Sequence, residues 1–217
     1  MKTLFIPFFL TEKDASIEKV AKQMDQFPPH QLEYSLWERP WIKPEVSFTM
    51  AYDQSNFFLK FYVREPYLRA VYRQTNSEVY RDSCVEFFVS FGNDERYYNL
   101  EFNCAGTCLG QFGPDKENRV FLPADILEKI ETYGHIEKTG NENLHSWELM
   151  IKIPISVFIY HNPTFIHQNR LRLNFYKCGD ELEERHYLAW TEIQSSLPNF
   201  HLPAFFGIGS LELPRQC

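Results

Sequence analysis

Glu86, Glu101 and Asn103 sit on two neighbouring stretches in which apolar and polar residues alternate. In 84–91, Val85, Phe87, Val89 and Phe91 share one face, and Cys84, Glu86, Phe88 and Ser90 share the other. Gly92-Asn93-Asp94 then turns the chain, and in 97–104 Tyr98, Leu100, Phe102 and Cys104 oppose Tyr97, Asn99, Glu101 and Asn103. If the apolar sets face a core, the two carboxylates and the amide project together from the far side of paired strands. Arg172 and Asn174 alternate in the same way with Leu171, Leu173 and Phe175 on a later strand. Carboxylates and amides at fixed spacing suit hydroxyl-rich ligands, because hydroxyls both donate and accept hydrogen bonds. A solvated outer face, the commoner fate of such a stripe, is the competing reading.

Sugars also present an apolar face of C–H groups, which aromatic planes cover at low entropic cost. Tyr80, just before the first of these strands, and Trp190, near the C-terminus, are the candidate rings; a place in the core competes for either. Glu86 and Glu101 could alternatively be the acid and nucleophile of a glycoside hydrolase, though two carboxylates alone are a weak signal. His186 and His201 lack partners at metal spacing, so the sequence offers no zinc site. Cys178 has no neighbouring His or Asn that would activate it. Gly106-Thr107-Cys108-Leu109-Gly110 lacks the lysine of a phosphate loop.

The elements that must position these groups are mostly strands. Residues 2–9 read as the first. Asp14 is placed to cap a helix carrying Ile17, Val20, Ala21 and Met24 on one face, ended by Pro28-Pro29 and expected across one end of the domain. Residues 46–52 and 57–63 alternate and are joined by Asp53-Gln54-Ser55-Asn56, a hairpin signal. Pro123 to Thr132 reads as a short helix closed near Gly134, followed by strands at 147–153, 171–177, 186–190 and 205–212. Short alternating strands without a βαβ rhythm predict one all-β domain over 1–217, an antiparallel sandwich with one or two short peripheral helices.

Composition agrees. Twenty Phe and twelve Tyr favour pleated, half-buried surfaces. The net charge of -7, with no basic run, argues against nucleic acid or an anionic membrane surface as partner. Five widely spaced Cys, an odd number, read as free thiols rather than a disulfide framework. The first ten residues make a poor signal peptide, and no window is apolar enough to span a membrane. The sequence as it stands reads as a soluble cytoplasmic chain; an export signal ahead of it would instead place it in the periplasm or outside the cell.

Several of these segments, in order, resemble a known family. Tyr80-Arg81-Asp82-Ser83-Cys84-Val85-Glu86-Phe87-Phe88-Val89 is similar to the aromatic-x-x-Asp-Ser-x-Val-Glu-x-Phe segment of family 9 carbohydrate-binding modules. Tyr97-Tyr98-Asn99-Leu100-Glu101-Phe102-Asn103 resembles that family's Tyr-Tyr…Asn strand, and Trp147-Glu148-Leu149…Ile153-Pro154 its Trp-Glu…Ile-Pro strand. Asn174 to Asp180, Tyr187-Leu188-Ala189-Trp190 and Phe200 to Gly207 resemble the stand-alone bacterial members, and the match runs from about Trp37 to Leu213. The resemblance implies a DOMON-like, lectin-like sandwich holding a sugar between two aromatic rings. It assigns the rings to Tyr80 and Trp190 and the polar contacts to Glu86, Glu101, Asn103 and Arg172; Asn174 is added from strand geometry. Glu101 stands where better-known members carry a basic residue. The family's calcium ions look structural, and no acidic cluster here matches them, so no cofactor is expected.

The reading that follows is non-catalytic binding of a mono- or oligosaccharide in support of carbohydrate catabolism. The alternatives are hydrolysis by Glu86 and Glu101, or a haem-binding DOMON-type domain, which needs a Met and a His as axial ligands. Met50 and Met150 fall within strands, with no His clearly opposite them.

Overall fold

The computed structural model describes residues 1–12, 14–139, 144–168 and 170–213. In chain order the elements are β1 (Thr3–Ile6), α1 (Ile17–Met24), β2 (His30–Gln31), β3 (Tyr34–Ser35), β4 (Glu45–Tyr52), β5 (Asn56–Glu65), β6 (Cys84–Phe91) and β7 (Tyr97–Asn103). There follow β8 (Cys108–Gly113), β9 (Val120–Phe121), α2 (Ala124–Leu127), β10 (Glu131–Thr139), β11 (Leu144–Pro154), α3 (Pro163–Gln168), β12 (Leu171–Cys178), β13 (Tyr187–Ala189) and β14 (Gly207–Leu211). The larger sheet runs β1-β14-β12-β6-β7-β8-β9, with β13 paired to β12 and β3 to β13; the smaller runs β10-β11-β5-β4-β2. Both expected hairpins form, with Tyr52 opposite Phe57 and Val89 opposite Tyr98.

The apolar halves of the alternating strands meet between the sheets. Phe48 of β4 stacks on Phe175 of β12 at 3.7 Å between centroids, and Phe87 of β6 stacks on the other neighbour side at 5.3 Å. Each fully buried Phe contributes roughly 1.5–3 kcal/mol of transfer free energy before entropy is set against it. At one end of this core lies a buried ion pair: Lys177 Nζ is 2.8 Å from Glu65 Oε2, and Trp147 Nε1 donates to Glu65 Oε1 at 2.7 Å. Glu65 belongs to the small sheet and Lys177 to the large one, so the pair pins the sheets together.

Three sequence expectations are corrected. Helix α1 is capped by Ser16, whose hydroxyl accepts from the Lys19 amide, and not by Asp14. It covers the outer face of the small sheet, not an end of the sandwich, because Ala51, Phe58 and Met150 make that face apolar and Val20, Ala21 and Met24 bury it. The helix expected over 123–132 ends at Leu127, and Gly134 lies inside β10, a strand paired along β11. The Gly-containing segment that follows the second hairpin forms β8. A Cβ on Gly110 would sit 2.5 Å from Leu127 Cδ2, so glycine lets α2 lie on this strand. Met50 lies in the main core and Met150 under α1, on opposite sides of the small sheet, each tightly packed, an arrangement unsuited to haem ligation. Cys84, Cys104, Cys108 and Cys178 are free and buried, while Cys217 lies outside the described residues. Among the described residues no helix is long and apolar enough to cross a membrane.

Candidate functional site

The outer face of the larger sheet is covered over its central strands. β6, β7 and β8 are buried along their whole length, because connections from across the chain lay a second apolar layer over them. Phe88, Tyr97 and Tyr176 from the strands meet Leu36, Phe200 and Phe206 from those connections. Tyr176 stacks on Phe200 at 4.2 Å and donates its hydroxyl to the Phe200 carbonyl. A cavity of about 200 Å³ opens in this layer. It is smaller than the roughly 300–1,000 Å³ of pockets for drug-sized ligands, which suits one small ring.

Its floor is the stripe read from the sequence. Glu86 and Glu101 are direct cross-strand partners and are each 3% exposed. The Cys178 thiol donates to Glu86 Oε1 at 3.0 Å, and Asn99 Nδ2 donates to Glu101 Oε1 at 2.8 Å. Glu101 Oε2 is buried with no hydrogen-bond partner among the described residues. Burial raises both carboxyls above the usual carboxylate range. For Glu86 the charge of Glu101 adds to that effect; for Glu101 the nearby Arg119 opposes it. Carboxyls raised in this way keep a proton more readily, and a protonated carboxyl beside an ionised one can both donate to and accept from a ligand.

The walls are aromatic. Tyr80, on the one-turn helix Val79–Arg81, is half-buried, donates its hydroxyl to Glu78 Oε1 at 2.8 Å and is backed by the Arg81 guanidinium. Trp37 faces the cavity with Tyr187 and Phe200, its ring centroid 5.6 and 5.7 Å from theirs. Its backbone is left-handed, φ 57°, and its indole N–H donates to the Ser195 carbonyl at 2.8 Å. A bulky side chain at positive φ costs on the order of 1–3 kcal/mol and persists only where its surroundings hold it. The rim carries Lys116, Arg119, Asp180 and His201. His201 Nδ1 lies 2.9 Å from the Tyr97 hydroxyl, and Arg119 Nη1 lies 2.9 Å from Nε2. Burial and the Arg119 charge hold that imidazole neutral, well below its ordinary pKa.

Of the residues expected from sequence, Tyr80, Glu86 and Glu101 line the cavity. Trp190 does not. It is 3% exposed in the core between the sheets, edge-on to Phe48 and Phe175. The reason is strand parity: on β13 and just beyond, Leu188 and Trp190 point inward while Tyr187 and Ala189 point outward. Tyr187 is therefore the ring this strand contributes. Asn103 is occupied with its own turn, donating to Tyr72 O and Asp82 Oδ2 and accepting from the Ala105 and Thr107 amides. Arg172 reaches the Asp94 carbonyl, away from the cavity. Asn174 Oδ1 accepts from the Phe175 and Thr191 amides and holds β12 to the segment after β13. Trp37, Phe200, His201 and Arg119 had no periodic signal, since they lie on irregular connections.

Among the described residues, Cys84, Glu86 and Cys178 bring three metal-ligating atoms within 4.8 Å of one another. Two sulfurs and one carboxyl do not make the all-oxygen cage of a calcium site.

A carbohydrate-binding protein candidate from Bacteroides uniformis ATCC 8492 superposes with a TM-score of 0.87 at 36% identity, covering 97% of this chain and 99% of that one. A family 9 carbohydrate-binding module from Caldicellulosiruptor kristjanssonii shares the sandwich at 13% identity. Its complex with cellotriose gives a TM-score of 0.60 over 97% of this chain and 94% of that one. Its glucose complex gives 0.61 over 100% and 99%. None among curated proteins is similar to this chain at a significant level. The model of carbohydrate-binding family 9 matches residues 17–212, and the chain belongs to that family.

Proposed function

We propose that this protein binds a sugar, one ring at a time, in the cavity on the outer face of the larger sheet, and does no chemistry on it. The observation that carries the reading is the pairing of surfaces. Aromatic walls from Trp37, Tyr80, Tyr187 and Phe200 stand over a polar floor of Glu86 and Glu101. A pyranose has the matching two kinds of surface, apolar C–H faces and a hydroxyl rim. The rings cover the C–H groups, and the carboxyl pair, with a proton to donate and lone pairs to accept, takes the hydroxyls.

The solved relatives lend support in kind, since one of them is seen with glucose and with cellotriose. A 200 Å³ cavity favours a monosaccharide or a chain end over the middle of a polymer. Few atoms are buried, so affinity falls in the micromolar to millimolar range, on the order of 4–8 kcal/mol. Calorimetry or ligand-observed NMR over a panel of soluble sugars tests this. Binding to one or more members, weakened several-fold in Tyr80→Ala, is the expected result; no binding to any member overturns it.

A further inference from the structure

The cavity floor holds more acid than its surroundings neutralise. Three carboxyls line the cavity, Glu86 and Glu101 on its floor and Asp180 on its rim, against two cations, Lys116 and Arg119, with His201 neutral. The charge of Arg119 reaches Glu101 without forming an ion pair with it. Arg119 is held against the His201 ring, with Nη1 within 3.0 Å of both ring nitrogens. Lys116 is exposed, where solvent and salt screen its charge. Among the described residues neither Glu86 nor Glu101 has an ion-pair partner; their polar contacts are a thiol and a neutral amide. Glu101 keeps one buried oxygen, Oε2, without any hydrogen bond.

Such a floor takes neutral hydroxyls while it keeps a proton, and it gains more from a ligand that also brings a positive charge. A hydroxyl can fill one hydrogen bond but brings no charge that would let the cross-strand pair ionise. An ammonium group does both. It brings three donors and a positive charge that favours ionised carboxyls, and in a buried site a charge-assisted hydrogen bond is about twice as strong as a neutral one.

We propose that the preferred ligand is an amino sugar, a hexosamine whose free ammonium group sits against Glu101 and Glu86. This rests on the sugar-binding reading above and narrows it. The N-acetylated forms are disfavoured, because acetylation removes the charge and adds bulk in a small cavity.

The test is a calorimetric comparison at neutral pH of glucosamine, galactosamine and mannosamine with their parent hexoses and their N-acetyl derivatives. One hexosamine should bind roughly ten- to a hundredfold tighter than its parent hexose, the factor expected for one hydrogen bond to a charged group. In Glu101→Gln, which keeps the shape and removes the charge, that ratio should collapse toward one. Equal binding of hexose and hexosamine by the unmodified protein overturns this inference while leaving the sugar-binding reading in place. A preference that survives in both Glu101→Gln and Glu86→Gln overturns the assignment to this carboxyl pair. Failure of every sugar in the panel to bind overturns the underlying reading and this inference with it. The ratio in the unmodified protein decides the matter even if a variant folds poorly.

Discussion

Replacing Glu101 by Gln should make the protein less sensitive to alkaline pH, by an amount that follows from its burial. Glu101, on β7, is 3% exposed, and burial holds its pKa at about 7 against an ordinary 4.5. Each pKa unit corresponds to 1.36 kcal/mol between the two protonation states, so the shift is worth about 3 kcal/mol. The sign is that of a raised acid. The folded state holds the proton more tightly than the unfolded chain, so the contribution is full below the ordinary pKa and is lost as pH rises through about 7. Gln removes this titration. Its side-chain oxygen can keep the hydrogen bond from Asn99, while its buried amide N–H groups lack a partner, a cost of about 1–3 kcal/mol that does not change with pH. The observable is therefore the change in the difference between the two proteins. From pH 5 to pH 8 that difference should move by about 2.5 kcal/mol in favour of Glu101→Gln, or roughly 5–10 °C in Tm for a chain of this length. His186 and His201, both held neutral by burial, destabilise either protein as pH falls below their ordinary pKa, and they cancel in the comparison. Urea unfolding followed by tryptophan fluorescence at pH 5, 6, 7 and 8 supplies the numbers. A difference that stays constant across this range refutes the argument, for it would mean that Glu101 ionises as freely in the folded protein as in the unfolded chain.

The aromatic assignments separate in one pair of measurements. Tyr80→Ala should weaken sugar binding several-fold with little change in the thermal midpoint, whereas Trp190→Ala should cost about 3–5 kcal/mol of stability, as large core truncations do. A Trp190→Ala protein that melts normally would contradict the core placement. At the sheet junction, Lys177→Met or Glu65→Gln alone should cost about 3–5 kcal/mol by leaving a buried charge or polar partner uncompensated, and the double substitution Lys177→Met with Glu65→Leu should recover much of it. A double variant whose loss in denaturant melts equals the sum of the Lys177→Met and Glu65→Leu losses would show that the pair is not coupled. Activated aryl glycosides should not be turned over; release that disappears in Glu86→Gln would make the carboxyl pair catalytic.

The alternation of side chains is a local property, and it was legible along the sequence. In 84–91 and 97–104 it put Val85, Phe87, Leu100 and Phe102 on the inner face and Glu86 with Glu101 on the outer one, because a strand's period of two needs nothing but the strand itself. The turn Asp53-Gln54-Ser55-Asn56 likewise carries its own instruction: Asp53 Oδ1 accepts from the amides of Ser55 and Asn56 and closes the hairpin. Parity over a segment as short as β13 was a different matter. Three residues do not make a pattern, and only the pairing with β12 decided that Tyr187 looks into the cavity and Trp190 into the core. Asn103 was on the expected face, yet it ends its strand, and the turn that follows used its amide before any ligand could. The covering layer was decided by tertiary structure alone. Trp37, Arg119 and Phe200 come from connections far apart in the chain, where no periodicity marks an inward side, and they converge because Phe88, Tyr97 and Tyr176 leave the sheet's outer face apolar. That layer excludes water from Glu86 and Glu101, and the exclusion turned an ordinary polar stripe into a buried pair of carboxyls.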